Sequence, residues 1–107
     1  MDEKANIVIE TTCRFCGVSP ALVLGETRSR MVVVARQYVH YFLRTILELR
    51  VVDVAFLTNR SYQDVLHSVS TVKNSAEIDN YFAHQRRLLE KLINKNINKY
   101  EKRQSNT

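Results

Sequence analysis

From residue 26 to its end the chain contains no glycine and no proline; Gly17, Pro20 and Gly25 are its entire supply. These residue types are the punctuation of a fold, since glycine reaches the backbone angles of tight turns while proline stops helices and cannot donate to sheet ladders. A sheet protein needs such turns roughly every ten residues. Without them, helices must gather the apolar positions. The pattern therefore predicts an all-α chain, a compact helical bundle of about five helices, with one turn-rich or extended segment between residues 17 and 30. Two β-branched runs, Val32 to Val34 and Val51 to Val54, favour strands by propensity alone. No punctuation flanks them and both merge into longer helical stripes, so both are read as helix.

The stretch from Arg60 to His67 carries the most local information. Ser61 stands ahead of an apolar-periodic run and Asp64 follows three residues later. At this capping-box spacing the hydroxyl accepts from an early backbone N–H and the carboxylate reaches back to the cap, which starts a helix near Ser61. Val65, Val69 and Val72, with Leu66, form its inward stripe, while Gln63, Asp64, His67, Thr71 and Lys73 point outward. Just before it, Val51 to Leu57 reads as a short apolar helix in which Ala55 permits a close approach, and Thr58 with Asn59 supplies the turn. Helix, tight turn and helix with a polar outer face make a helix-turn-helix. Its second helix is shaped for the wide groove of double-stranded DNA.

Size and charge narrow the classes. A chain of 107 residues forms one domain, too small for an ATPase joined to a binding module. Its net charge of +5 is uneven: residues 1–27 carry −2, residues 28–74 carry +4 and residues 75–107 carry +3. The middle segment prefers Arg to Lys, which suits bidentate contacts to phosphate. Asp2 and Glu3 replace a basic n-region, and no apolar run approaches the ~18 residues of a membrane span. A cytoplasmic location with no membrane partner is expected.

Catalytic parts are missing. The sequence has no G-x-x-x-x-G-K-[ST] loop, no G-x-G-x-x-G and no H-E-x-x-H, so we expect no enzyme and no cofactor. Ser61, Asp64 and His67 supply the residue types of a hydrolytic triad, but capping and a solvated face explain them on one helix. Cys13 and Cys16 form an isolated C-x-x-C. A zinc site wants four ligands, and His40, His67 and His84 are scattered, so no metal is expected. Both thiols are read as small apolar fillers on a first helix, beside Ile7, Ile9 and Phe15.

At this point the residues invite a family comparison. From Ile7 to Ile93 the chain resembles the carboxy-terminal DNA-binding domain of the bacterial chromosomal replication initiator DnaA, a Trp-repressor-like helix-turn-helix domain. Gly17, Val18 and Ser19, followed by Leu24-Gly25 and by Arg28-Ser29-Arg30, are similar to the family's loop, in which a basic residue enters the minor groove. Ala35-Arg36-Gln37 looks like the arginine–glutamine pair that opens the family's central helix. Arg60 and Val65-Leu66-His67 match the signature G-R-D-H-T-T-V-L-H at the arginine and at the closing V-L-H. Where the family carries D-H-T-T, which reads base edges, this chain has Ser61, Tyr62, Gln63 and Asp64. The turn is one residue shorter and has Thr58-Asn59 in place of a glycine pair.

The resemblance implies duplex DNA binding and assigns roles. Arg28 and Arg30 would contact the groove and phosphates from the loop. Arg36, Arg44 and Arg60 would grip phosphates and set register, with Gln37 completing the arginine–glutamine pair. Gln63 is the candidate base reader, because its amide pairs bidentately with adenine, and Tyr62 would meet a thymine methyl or a phosphate. Ser61 and Asp64 cap the helix and also stand at DNA-facing positions, where an Asp64 turned to the groove would repel phosphate and favour cytosine N4; His67 is open between a packed residue and a contact.

The last third predicts a long amphipathic helix capped by Ser75, with Ile78, Tyr81, Phe82, Leu88, Leu89, Leu92 and Ile93 at helical spacing. Residues 1–93 would form the domain. Residues 94–107, rich in Asn and Lys, would be a fraying polar tail. A second function class stays open: a helical interaction module that keeps the scaffold without DNA readout. Its Leu88 to Ile93 stripe would form a homodimer or dock an ATP-binding replication or mobile-element protein.

Overall fold

The computed structural model describes residues 2–105. Among them are six α-helices and no strand: α1 (Glu3–Cys16), α2 (Pro20–Leu24), α3 (Arg30–Thr45), α4 (Val51–Thr58), α5 (Tyr62–Ile78) and α6 (Asn80–Ser105). Both β-branched runs are helical, one in α3 and the other in α4. None of these helices is long and apolar enough to cross a membrane.

Helix boundaries follow local chemistry. The Asp2 carboxylate caps α1 by accepting from the Lys4 N–H at 3.0 Å, and Gly17 ends the helix in the left-handed region at φ 72°. The segment expected to be irregular contains a short helix, α2, because Ser19 caps it and Pro20 occupies the first helical position. This extra element turns the expected five helices into six. Asn59 takes φ 56° at the end of α4, where its N–H and that of Arg60 satisfy the last carbonyls of the helix. Ser61 and Asp64 form both halves of the expected capping box at the start of α5.

Ser75 does not cap the last helix. It lies inside α5, and the chain breaks instead at Asp79, whose carboxylate accepts from the Tyr81 N–H at 2.8 Å and so starts α6.

The core lies around α3, which buries Val32, Ala35, Tyr38, Val39, Phe42 and Leu43. It packs against α1, α2, α4 and α5, while α6 lies across α1 and α5. Val8, Ile9 and Cys13 enter this core from α1, with Ile7, Phe15 and Cys16 half-buried beside it. Burial pushes the Cys16 thiol up to about 11, so it stays protonated and inert at neutral pH, as an apolar filler should. On α5 the inward residues are Val65, Ser68 and Val72, whereas Leu66, expected inward, is exposed.

α6 keeps its helical form beyond Ile93. Leu89, Ile93 and Ile97 are buried in an i, i+4 row, and the Asn96 amide donates to the Thr11 hydroxyl at 3.0 Å. The Asn/Lys-rich segment expected to fray therefore contributes Ile97 to the core and, as far as Ser105, is nearly half of a helix. Replacing Ile97 by Ala should lower unfolding stability by about 2–4 kcal/mol in a denaturant titration. An unchanged midpoint would mean that this turn adds nothing to the fold.

Candidate functional site

The sequence leads one to expect a row of arginines on the surface, and the structure commits two of them to backbone, burying one. Arg36 is 7% exposed. Its Nε donates to the Val23 carbonyl at 2.8 Å, and Nη2 donates to the carbonyls of Leu22 and Gly25 at 3.2 Å and of Thr27 at 3.0 Å. These acceptors belong to the end of α2 and the loop after it, where helix geometry leaves carbonyls short of donors; Leu22 also accepts from the Gly25 N–H. Burial lowers the pKa of the guanidinium, with smaller contributions from the charges of Arg60 and Arg28; it remains ionised all the same. Arg44 is spent similarly. Its Nη1 donates to the Leu49 carbonyl at 2.6 Å and braces the turn between α3 and α4, in which Glu48 takes φ 54°. Arg36 and Arg44 thus hold backbone, in contrast to the phosphate-gripping role expected of them. Arg44 also lies about 21 Å along α3 from Arg30.

Arg60 is half-buried between the two uses. Its Nη2 donates to the Gly25 carbonyl, which ties the start of α5 to the loop carrying Arg28. Two guanidinium groups therefore converge on one loop. That loop is fixed in space beside the N-terminus of α5.

A second brace sets α5 against α4. His40 on α3 is 1% exposed and touches both helices of the helix-turn-helix, with Nδ1 2.8 Å from the Ser68 hydroxyl and Nε2 2.9 Å from the Thr58 hydroxyl. Thr58 donates its own proton to the Val54 carbonyl at 2.8 Å, so it accepts from His40 Nε2–H. His40 Nδ1 is then the acceptor, and Ser68 donates to it. The ring is neutral and has one tautomer. Burial, followed by the nearby charges of Arg36 and Arg60, brings its pKa down from 6.5 to about 4. The sequence listed His40 among scattered histidines, and no motif marked it.

With these braces in place, a concave surface opens between the loop and α5. Arg28, Gln37, Arg60, Asp64 and His67 line it, with Glu26 as a further carboxylate. Arg36 reaches its wall as well, so six of the expected site residues are brought together. Tyr62 and Gln63 are exposed on the first turn of α5 without lining this concavity, and Arg30 is exposed as the first residue of α3. His67 is exposed, with its Nε2 3.5 Å from the Thr71 hydroxyl. Asp64 acts as the cap: hydrogen bonds from Ser61 hold its carboxyl below the usual range. One exposed residue went unmarked in the sequence. Phe56, at 86% exposure, stands on α4 beside Asn59, Arg60 and Ser61.

Two outcomes test these assignments. Arg36→Met should cost about 1–3 kcal/mol of stability by taking the donor from the Val23 and Thr27 carbonyls, whereas Arg28→Ala should change stability by less than about 0.5 kcal/mol. Equal, small effects in thermal unfolding would contradict the brace. For His40 the folded pKa is depressed, so above pH 6.5 both states are neutral and its contribution is complete. As pH falls from 6.5 towards 4, the unfolded chain binds a proton that the folded chain excludes, and about 3 kcal/mol of stability is lost. His40→Gln should flatten urea-unfolding free energies across that window, and an unchanged slope would contradict the assignment.

Comparison with known proteins agrees with this geometry. A family model described as the bacterial dnaA protein helix-turn-helix matches residues 5–72. The chain is 27% identical over 94 residues to the chromosomal replication initiator protein DnaA 1 of Chlamydia trachomatis, a match covering 88% of this chain and 21% of that protein. It is 28% identical over 89 residues to the chromosomal replication initiator protein DnaA of Bacteroides fragilis, covering 82% and 19% respectively. The chain thus spans about a fifth of the length of these curated relatives.

Proposed function

The chain belongs to the bacterial dnaA helix-turn-helix family, and we propose that it is a double-stranded DNA-binding module that prefers particular sequences and is related to the origin-binding part of replication initiators. The observation that carries this reading is that Arg28 shares one concave surface with Asp64 and His67 of α5, while Tyr62 and Gln63 stand exposed on the first turn of the same helix. A loop arginine at that place serves a groove or phosphate, while α5 offers Tyr62, Gln63 and His67 to base edges and backbone. Gln63 is the base reader in this reading. Arg30 and Arg60 add phosphate attraction, Arg60 with the nitrogens not committed to Gly25. The side chains at 61–64 differ from the family's D-H-T-T, so the preferred sequence differs from that of the initiators. ATP hydrolysis plays no part in how this segment grips DNA.

The competing interface reading loses its main support in α6. Of the Leu88 to Ile93 stripe, Leu89 and Ile93 are fully buried within the chain's own core, which leaves a dimer seam only the exposed Leu88 and Leu92. Leu89→Asp would unfold the protein rather than separate two copies.

Selection from a random duplex pool at physiological salt tests the proposal. An enriched motif is expected, with log affinity falling steeply as log salt rises. Arg28→Ala should weaken all sequences, and Gln63→Ala should cost about 1–3 kcal/mol on the preferred motif while sparing others. A pool that stays unenriched, with salt-insensitive binding, would overturn it.

A further inference from the structure

The cations that this fold does not spend are concentrated on α6, far along the chain from the residues so far discussed. Arg36, Arg44 and Arg60 hold carbonyls, Lys4 pairs with Glu101, Arg50 pairs with Asp53, and Arg86 lies against Tyr41. In contrast, Arg87, Lys91, Lys95, Lys99, Lys102 and Arg103 are all exposed. None of these six takes part in an ion pair among the described residues.

Their placement follows the burial of the helix. Arg87, Lys91 and Lys95 each precede by two residues the buried Leu89, Ile93 and Ile97. Two residues are about 200° of rotation, so an i, i+4 row of cations runs along the side opposite the core. Lys99, Lys102 and Arg103 continue it. From Arg87 to Arg103 the row is about 24 Å long with a cation about every 6 Å. Duplex DNA presents one phosphate per roughly 3.4 Å on each strand, so such a row matches about every second phosphate.

We propose that the outer face of α6 is a second duplex DNA surface, one that binds phosphates without reading sequence. The proposal rests on the DNA-binding reading of the α5 site and adds a separate electrostatic contact to it. Charge complementarity selects the occupant. An anionic lipid surface would also attract cations, but an interfacial helix needs a broad apolar face. This side of α6 offers only Leu88 and Leu92, at 38% and 41% exposure, among its lysines. Long lysine and arginine side chains reaching a phosphate backbone release its counterions, which raises affinity and on-rate together.

The test uses the full chain and a variant carrying Arg87→Gln, Lys91→Gln, Lys95→Gln and Lys99→Gln. All four positions are exposed, so helicity by circular dichroism should be unchanged. Binding to short duplexes over a range of KCl should show a salt slope shallower by about 3 to 4 units, at roughly 0.9 per cation, with the selected motif unaltered. A variant that keeps the wild-type slope, while wild type still enriches a motif, overturns this inference and leaves the α5 reading standing. Loss of phosphatidylserine vesicle sedimentation with an unchanged DNA slope overturns it in favour of a membrane surface. No duplex binding by wild type at all overturns both.

Discussion

A buried guanidinium organises the functional end of this molecule. Arg36 closes the C-terminal carbonyls of α2 and the first carbonyls of the following loop, all from one position on the central helix. Without that group, the Val23 and Thr27 carbonyls would lose their donor, while Leu22 would keep only the Gly25 N–H and Gly25 only Arg60, a cost of a few kcal/mol in a small domain. The loop's place beside α5 depends on it, and so does the position of Arg28. Arg60 reinforces the link from the other side. His40 does for the angle between α4 and α5 what Arg36 does for the loop, holding Thr58 and Ser68 through the two faces of one neutral ring.

Charge in this protein is accordingly divided between two tasks. Arginine at 36 is a multi-donor brace whose planar fork serves several backbone carbonyls at once, and arginine at 44 braces one more. The remaining cations are left in water, at Arg28 and Arg30 on the loop side and along α6. Exposed cations contribute little to stability, so their concentration on particular faces bears on association rather than on folding. A basic sequence thus need not mean that every arginine meets a partner molecule. Location within the helix pattern decides which do.

The parts of this fold that were legible in the sequence are those fixed by nearest-neighbour chemistry. The capping box at Ser61 and Asp64, the α4–turn–α5 unit and the helical reading of both valine runs follow from residues within one or two turns of each other. The helix α2 was missed because Gly17, Pro20 and Gly25 were read as loop punctuation, although Ser19 before Pro20 is also a helix start. Asp79 caps the last helix instead of Ser75; both residue types cap well, and nearest-neighbour chemistry does not choose between them. The tail was judged on composition, while Ile97, four residues after Ile93, was already continuing the buried row. Arg36 and His40 were opaque for a different reason. Their partners are backbone carbonyls and hydroxyls 9 to 28 residues away, and such acceptors leave no mark in a pattern of side-chain types.

The DNA-binding reading requires the loop at Arg28 and the first turns of α5 to form one surface. Titrating the isotopically labelled protein with its selected duplex, and following backbone amide shifts by NMR, puts that requirement to the test. The largest shifts are expected at Arg28 to Arg30, Gln37 and Ser61 to His67, with the buried face of α1 unmoved. Saturable binding that leaves Ser61 to His67 unshifted would contradict it.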